Sequence, residues 1–264
     1  MKIAVCFRGI SRSLTHNIAS IRDNVISPAK EFGEVKIFTH LYDQTEIDNP
    51  RSGEKGKLNS AEYHLLNSDW LSLESPDECL GYYNFEFLKS FGDPWGDDFY
   101  SLRNVVHALH SLKQGWLAAQ AWGADAYLFL RPDMFYHQSF SRVLADIQQK
   151  KRLGLCVPLW QGWNGCNDTF AIANTTAAAR CYAERIDRVN NYCQLTGKPL
   201  SAELYLLDCL KEDKIPIWFM SLKASRVRFD GVFVRENFKL LRESNFPVFL
   251  HALKTRFAFN FFSR

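Results

Sequence analysis

The residues of this chain that could do chemistry follow short apolar runs. Arg8-Gly-Ile-Ser-Arg-Ser13 comes after the first of these runs. Gly9 lets a ligand approach the backbone, Ser11 and Ser13 offer hydroxyl donors, and the forks of Arg8 and Arg12 match phosphate oxygens. The segment is neither a Walker A loop nor a Gly-x-Gly-x-x-Gly loop. It suits a phosphate, or a solvated turn before a helix. Arg131-Pro-Asp133 follows a run in the middle of the chain. There Asp133 can hold a divalent cation bound to a diphosphate, or Pro-Asp can simply form a turn. His40 and Asp43 follow a second run, and Gln161, Asn164, Asn167 and Asp168 follow a later one. Trp160 and Trp163 lie in a glycine-rich loop, where flat rings can stack on a sugar or base or fold onto the core.

Other chemistries lack their signatures. There is no Gly-x-Ser-x-Gly elbow, no His-Glu-x-x-His and no catalytic-cysteine pattern. His107 and His110 can share one side of a helix, but no third ligand stands at a familiar metal spacing, so they read as structural. Seven cysteines without a Cys-x-x-Cys pair give neither a zinc cage nor a disulfide framework, and imply reduced thiols in a cytoplasmic protein. Lys+Arg 32 against Asp+Glu 29 leaves +3, which argues against a nucleic-acid partner. The N-terminal apolar run is too short for a signal peptide, and nothing approaches the roughly 20 apolar residues of a membrane span.

The elements that must position these residues follow from periodicity. Ile3 to Phe7, Val35 to His40, Ala126 to Leu130, Leu155 to Leu159, Thr169 to Ala173 and Ile215 to Met220 read as strands. Helices are expected from Thr15 to Lys30, capped by Asn17 or Thr15 and ended at Pro28, and from Ser101 to Trp122. Two more are expected from Ala177 to Asn190 and from Ala202 to Lys211. The opening strand, helix and strand argue for a mostly parallel α/β sheet in a single domain. Ligands bind such sheets at the carboxyl ends of strands, so the fold should gather the polar segments on one edge. Asp43 to Ser60 is polar and reads as a loop or mobile excursion.

Taken in order, these motifs resemble bacterial polysaccharide-biosynthesis glycosyltransferases of the capsule or O-antigen type. The resemblance rests on Ala4-Val-Cys-Phe-Arg-Gly-Ile-Ser-Arg-Ser13, Val35-Lys-Ile-Phe-Thr-His-Leu-Tyr-Asp43 and Gly123-Ala-Asp-Ala-Tyr-Leu-Phe-Leu-Arg-Pro-Asp133. It continues through Asn167-Asp168-Thr-Phe-Ala, Ser201-Ala-Glu203 and Arg226-Val-Arg-Phe-Asp-Gly231. It implies a GT-A-like fold, a nucleotide-sugar donor, and a glycan or lipid-linked glycan acceptor. The donor and its phosphates would meet Arg8, Gly9, Arg12, Ser13, His40, Arg131, Arg226 and Arg228. Asp133 would hold Mg²⁺ or Mn²⁺, although Arg131 stands where the family's first Asp-x-Asp acid would be. Trp160, Trp163 and Asn167 would meet the acceptor. Asp168 would be the general base, with Glu203 as second candidate. Residues 1–135 would form the nucleotide-sugar half, 136–231 the acceptor half and 232–264 a tail. The basic, aromatic tail, with Lys254, Arg256 and Arg264, would lie on the inner face of a membrane or pack on the body. The competing expectations are a non-catalytic glycan- or nucleotide-binding protein, and another nucleotide-dependent transferase such as a sulfotransferase.

Overall fold

The computed structural model of the protein describes residues 1–239. Its strands are β1 (Lys2–Gly9), β2 (Glu34–Tyr42), β3 (Glu46–Asn49), β4 (Glu54–Lys57), β5 (Trp70–Glu74) and β6 (Ala126–Leu130), then β7 (Met134–Tyr136), β8 (Leu155–Pro158), β9 (Ala171–Ala173), β10 (Ile217–Met220) and β11 (Ala224–Arg226). Its α-helices are α1 (Leu14–Ile21), α2 (Ser27–Phe32), α3 (Glu78–Tyr82), α4 (Phe85–Lys89), α5 (Tyr100–Trp122), α6 (Ser141–Gln148), α7 (Thr176–Ala183), α8 (Val189–Thr196) and α9 (Ala202–Glu212).

Seven strands form one sheet in the order β10-β8-β9-β6-β1-β2-β5. All neighbours pair parallel except β9, which runs antiparallel to both β6 and β8. The expected α/β class is therefore observed, with one reversed strand inside it. Both faces are covered, as a parallel sheet requires. In β1, Ala4 and Cys6 join the core layer that holds α5, while Ile3, Val5 and Phe7 join the layer that holds α1. In β6, Tyr127 and Phe129 face the first layer and Ala126, Leu128 and Leu130 the second. The α5 stripe of Leu102, Val106, Leu109, Leu112, Trp116 and Ala119 recurs every three or four residues and is buried. Gly123 closes that helix at φ 68°.

Four local expectations change. Pro28 does not end the first helix: a π turn over Arg22–Ile26 intervenes, and the proline sits in the first turn of α2, where its missing N–H costs nothing. Neither Asn17 nor Thr15 caps α1. The cap is Glu62, whose carboxylate accepts from Leu14 N at 2.9 Å and from the Thr15 hydroxyl at 2.5 Å. The segment from Asp43 to Ser60 is no open loop. It contains the β3–β4 hairpin, and Glu54 in it is only 5% exposed. The edge strand β5, with Leu71 and Leu73 exposed, was not expected. All seven cysteines are buried and none forms a disulfide. Among the described residues no helix is long and apolar enough to cross a membrane. Lys254, Arg256 and Arg264 lie outside the described residues.

Candidate active site

The parallel strands deliver their carboxyl ends to one edge, and β9, running the other way, starts there. A cleft of about 1090 Å³ opens over this edge. Arg8 and Gly9 reach it from the end of β1, Arg131 and Asp133 from the turn after β6, and Asp168 from the loop before β9. Arg12, Trp160, Trp163, Glu203, Arg226 and Arg228 line it too. The edge rule thus placed most of the expected residues around one cavity.

One wall is a guanidinium–carboxylate cluster. Asp133 is 2% exposed. Its Oδ2 accepts from Arg12 and from Arg131, each at 2.7 Å, and its Oδ1 accepts from Arg131 Nε at 2.8 Å. Arg12 also donates to Glu54 Oε2 at 3.0 Å, and Arg228 donates to the same oxygen at 2.5 Å. Burial by itself would raise the Asp133 pKa, but Arg131 and Arg12 reverse this and hold the carboxyl well below the usual range. The short sheet of β7 and β11 brings in the remaining arginines. Arg226 pairs opposite Met134, and Val227 N donates to the Asp133 carbonyl at 2.9 Å. Arg226 donates from Nε to Glu236 Oε1 at 2.7 Å.

These residues do not fit a divalent cation on Asp133. Both of its oxygens already accept from cationic groups, and Glu54 is engaged in the same way. A hard cation wants several unshared oxygens, and here it would face guanidinium charge instead. With its oxygens shared in this way, Asp133 presents its carboxylate to Arg12 and Arg131 rather than to the cleft.

The other wall carries two carboxylates. Asp168 Oδ2 accepts from a guanidinium nitrogen of the fully buried Arg185 at 3.3 Å. Its carbonyl accepts from Arg8 at 2.6 Å and from the Tyr182 hydroxyl at 2.9 Å. Glu203 stands in the first turn of α9. Burial, and then the charge of Asp168, push its pKa up to about 7. The loop before β9 lies directly on this turn: Cys166 N donates to the Glu203 carbonyl at 3.0 Å. A Cβ at Gly165 would sit 2.0 Å from that same carbonyl oxygen. Gly165→Ala is therefore expected to destabilise the protein by about 1–3 kcal/mol through overpacking, read as a lower melting temperature. A variant that melts with wild type would refute this close approach.

Ser11, Asp43 and Asn164 do not line the cleft, nor do three residues assigned to the donor or acceptor. Ser13 is fully buried, and its hydroxyl accepts from Asn17. His40 is 2% exposed, between Ser111 and Glu74. Asn167 is buried and braces its own loop, donating to the Trp160 carbonyl at 2.6 Å and accepting from Thr169 N at 2.8 Å. Trp160 touches the cleft but is folded onto the core, with its indole N–H donating to the Leu222 carbonyl at 2.9 Å. Trp163, at 52% exposure, lines the cleft with more of its ring open, and Trp95 lines it too. Sequence reasoning missed the hairpin residues Asp48, Asn49, Arg51 and Ser52, and the start of α5 at Tyr100, Ser101, Arg103 and Asn104, all of which line the cleft. The polar run Asp48 to Lys57 was a signal for the hairpin. Nothing local marks the start of α5 as a cleft wall.

No protein-family model matches this chain, and no curated protein matches it in sequence. Among solved structures, the fold is similar to Core-mannan synthase A (CmsA/Ktr4) from Aspergillus fumigatus in its Mn/GDP form, with TM-score 0.50 and 8% identity, over 93% of this chain and 84% of that one. The mannosyltransferase Ktr4p from S. cerevisiae gives TM-score 0.45 and 9% identity over 84% of this chain and 69% of that one. Mouse Xyloside xylosyltransferase 1, apo form, gives TM-score 0.43 and 8% identity over 83% and 85%. The α/β fold, with its mixed and mostly parallel seven-stranded sheet flanked by helices, thus matches GT-A structures.

Proposed function

We propose that this protein is a glycosyltransferase of polysaccharide biosynthesis, moving a sugar from a nucleotide-diphosphate donor to a hydroxyl of a glycan or lipid-linked glycan. The observation that carries this reading is the cleft itself, with an arginine-rich wall facing a carboxylate pair across the carboxyl edge of the sheet. Arg8, Arg131, Arg226 and Arg228 receive the diphosphate. Arg131 supplies the positive charge that a cation would otherwise bring, and guanidinium forks suit phosphate oxygens. These donors also stabilise the leaving diphosphate as its charge develops. Trp163 offers its ring to the acceptor sugar. Glu203 takes the proton from the attacking hydroxyl, because a base with a pKa of about 7 is matched to neutral pH. Asp168 is the charged neighbour that keeps Glu203 basic, reversing the order of the two candidates. A base that deprotonates the acceptor directly gives inversion at the sugar carbon. The reaction belongs in the compartment where nucleotide sugars are made, the cytoplasm.

Calorimetric titration with UDP-, GDP-, CMP- and dTDP-sugars tests the donor site. One nucleotide class is expected to bind, and Arg226→Gln to weaken it by about 1.5–3 kcal/mol, the range for hydrogen bonds to charged groups. The glutamine keeps an N–H for Glu236 but removes the charge. Added Mg²⁺ or Mn²⁺ should change that affinity less than about twofold, since no step here uses a bound cation. Absence of binding by every nucleotide sugar would overturn the proposal.

A further inference from the structure

Next to the cleft, but not lining it, three elements bring together side chains that the proposed reaction does not use. β2 supplies His40, β5 supplies Glu74 and α5 supplies His110, with one potential ligand atom from each lying within 4.8 Å of the other two. His40 Nε2 is 3.0 Å and His110 Nε2 2.8 Å from the same oxygen, Oε2 of Glu74.

The protons around His40 can be assigned. The Ser111 hydroxyl has one hydrogen and lies 2.7 Å from the His40 carbonyl, which can only accept. The same Oγ lies 2.9 Å from Gly9 N–H, which can only donate. Toward His40 Nδ1, at 3.1 Å, Ser111 is therefore an acceptor, and Nδ1 carries the ring proton. A neutral His40 then points a bare Nε2 lone pair at a carboxylate oxygen. Two acceptors at hydrogen-bond distance need a proton or a cation between them. A proton between them would sit either on the imidazole, with His40 only 2% exposed, or on the Glu74 carboxyl, whereas a cation takes both lone pairs at once.

We infer that His40 Nε2, the Glu74 carboxylate and His110 Nε2 bind one divalent transition-metal ion, with Zn²⁺ the best chemical fit. Two imidazoles and one carboxylate are a donor set for zinc rather than for magnesium or manganese. At zinc–ligand distances, tetrahedral donor atoms stand roughly 3.3 Å apart, so the observed 2.8 and 3.0 Å need to open by only a few tenths. Each histidine also has the outer partner that orients a ligating imidazole: Ser111 at His40 Nδ1, and the Tyr83 hydroxyl 2.9 Å from His110 Nδ1. The ion ties edge strand β5 to β2 and α5. Through Ser111 it also steadies the Gly9 N–H at the mouth of β1. This role is structural and independent of the proposed transfer, so metal binding alone decides it.

The test is a Co²⁺ titration of the chelator-treated full chain, followed by visible absorption and then by displacement with Zn²⁺. One equivalent is expected to give the ligand-field bands of a four- or five-coordinate site, and Zn²⁺ to abolish them. Glu74→Gln and His110→Gln should lose the bands while keeping the wild-type far-ultraviolet circular dichroism. No bands in the wild type, or bands that survive both substitutions, would overturn the inference. Should a substitution prevent folding, proton NMR of the wild-type Co²⁺ form decides instead. Two hyperfine-shifted imidazole Nδ1–H signals support the site, and their absence rejects it.

Discussion

Glu203→Gln is expected to lower kcat by about 10²–10⁴-fold, the usual contribution of a general base, while nucleotide affinity stays within about twofold of wild type. The substitution keeps size and shape and removes only the proton acceptor. The pH profile carries the same information. A general base at Glu203 would act when ionised, so wild-type turnover should fall as pH drops below about 7 and level off above it. The sign of the stability effect is opposite. The folded pKa is raised, so between the unfolded value near 4.3 and about 7 the folded state binds more protons than the unfolded one, and stability falls as pH rises. Above pH 7 the buried charge is a standing cost. Glu203→Gln should therefore be more stable than wild type at pH 8, by about 1–3 kcal/mol in chemical denaturation, with the gain disappearing below about pH 4. An inactive but more stable variant is what a functional carboxylate predicts. Asp168→Asn separates the two acids. As a charged neighbour, its loss should leave turnover largely intact and move the acid limb to lower pH. If instead Asp168→Asn abolishes turnover and Glu203→Gln does not, the roles are exchanged.

Asp133→Ala is expected to cost about 3–5 kcal/mol of stability, because it leaves the Arg12 and Arg131 guanidiniums without their shared carboxylate. Against a typical total of about 5–15 kcal/mol, this brings the protein close to unfolding. Chemical denaturation of the variant beside wild type measures it. The pH dependence follows from the depressed folded pKa. The stabilisation is complete above the unfolded carboxyl value near 3.9 and is lost progressively as pH falls below it. The result also discriminates between roles. A carboxylate serving a catalytic cation would be dispensable for folding, and its loss would appear as lost Mn²⁺-dependent nucleotide binding. A variant as stable as wild type would therefore discard the ion-cluster reading of this wall.

Much of the scaffold was legible because it is governed by local periodicity. The run Ala126 to Leu130 must be a buried strand, since each of its residues is apolar and both of its faces are covered. The α5 stripe, stopped by Gly123, can bury itself only as a helix. The edge that collects the candidate site residues follows from the parallel order, which puts Arg8, Arg131 and Asp168 around one cleft. Side-chain parity could have removed His40 from the phosphate set. It shares its strand face with Phe38 and Tyr42, which pack into the α5 layer.

What the chain alone determined is thus the alternation of elements, the class of sheet and the edge that carries the site. Only the tertiary structure decided which charge meets which. Arg228 and Glu54 are 174 positions apart, and Arg12 and Asp133 are 121 apart. Glu62 caps a helix 48 residues before it. Nothing in the local sequence distinguishes a carboxylate that will bind a cation, accept a proton or neutralise an arginine. That depends on burial and on the sign of the charges within a few ångströms, because Coulomb energies rise steeply as water is excluded. Asp133 and Glu203 are the same chemical group in one cleft. Two guanidiniums hold the first ionised, and burial beside Asp168 leaves the second ready to take a proton near neutral pH.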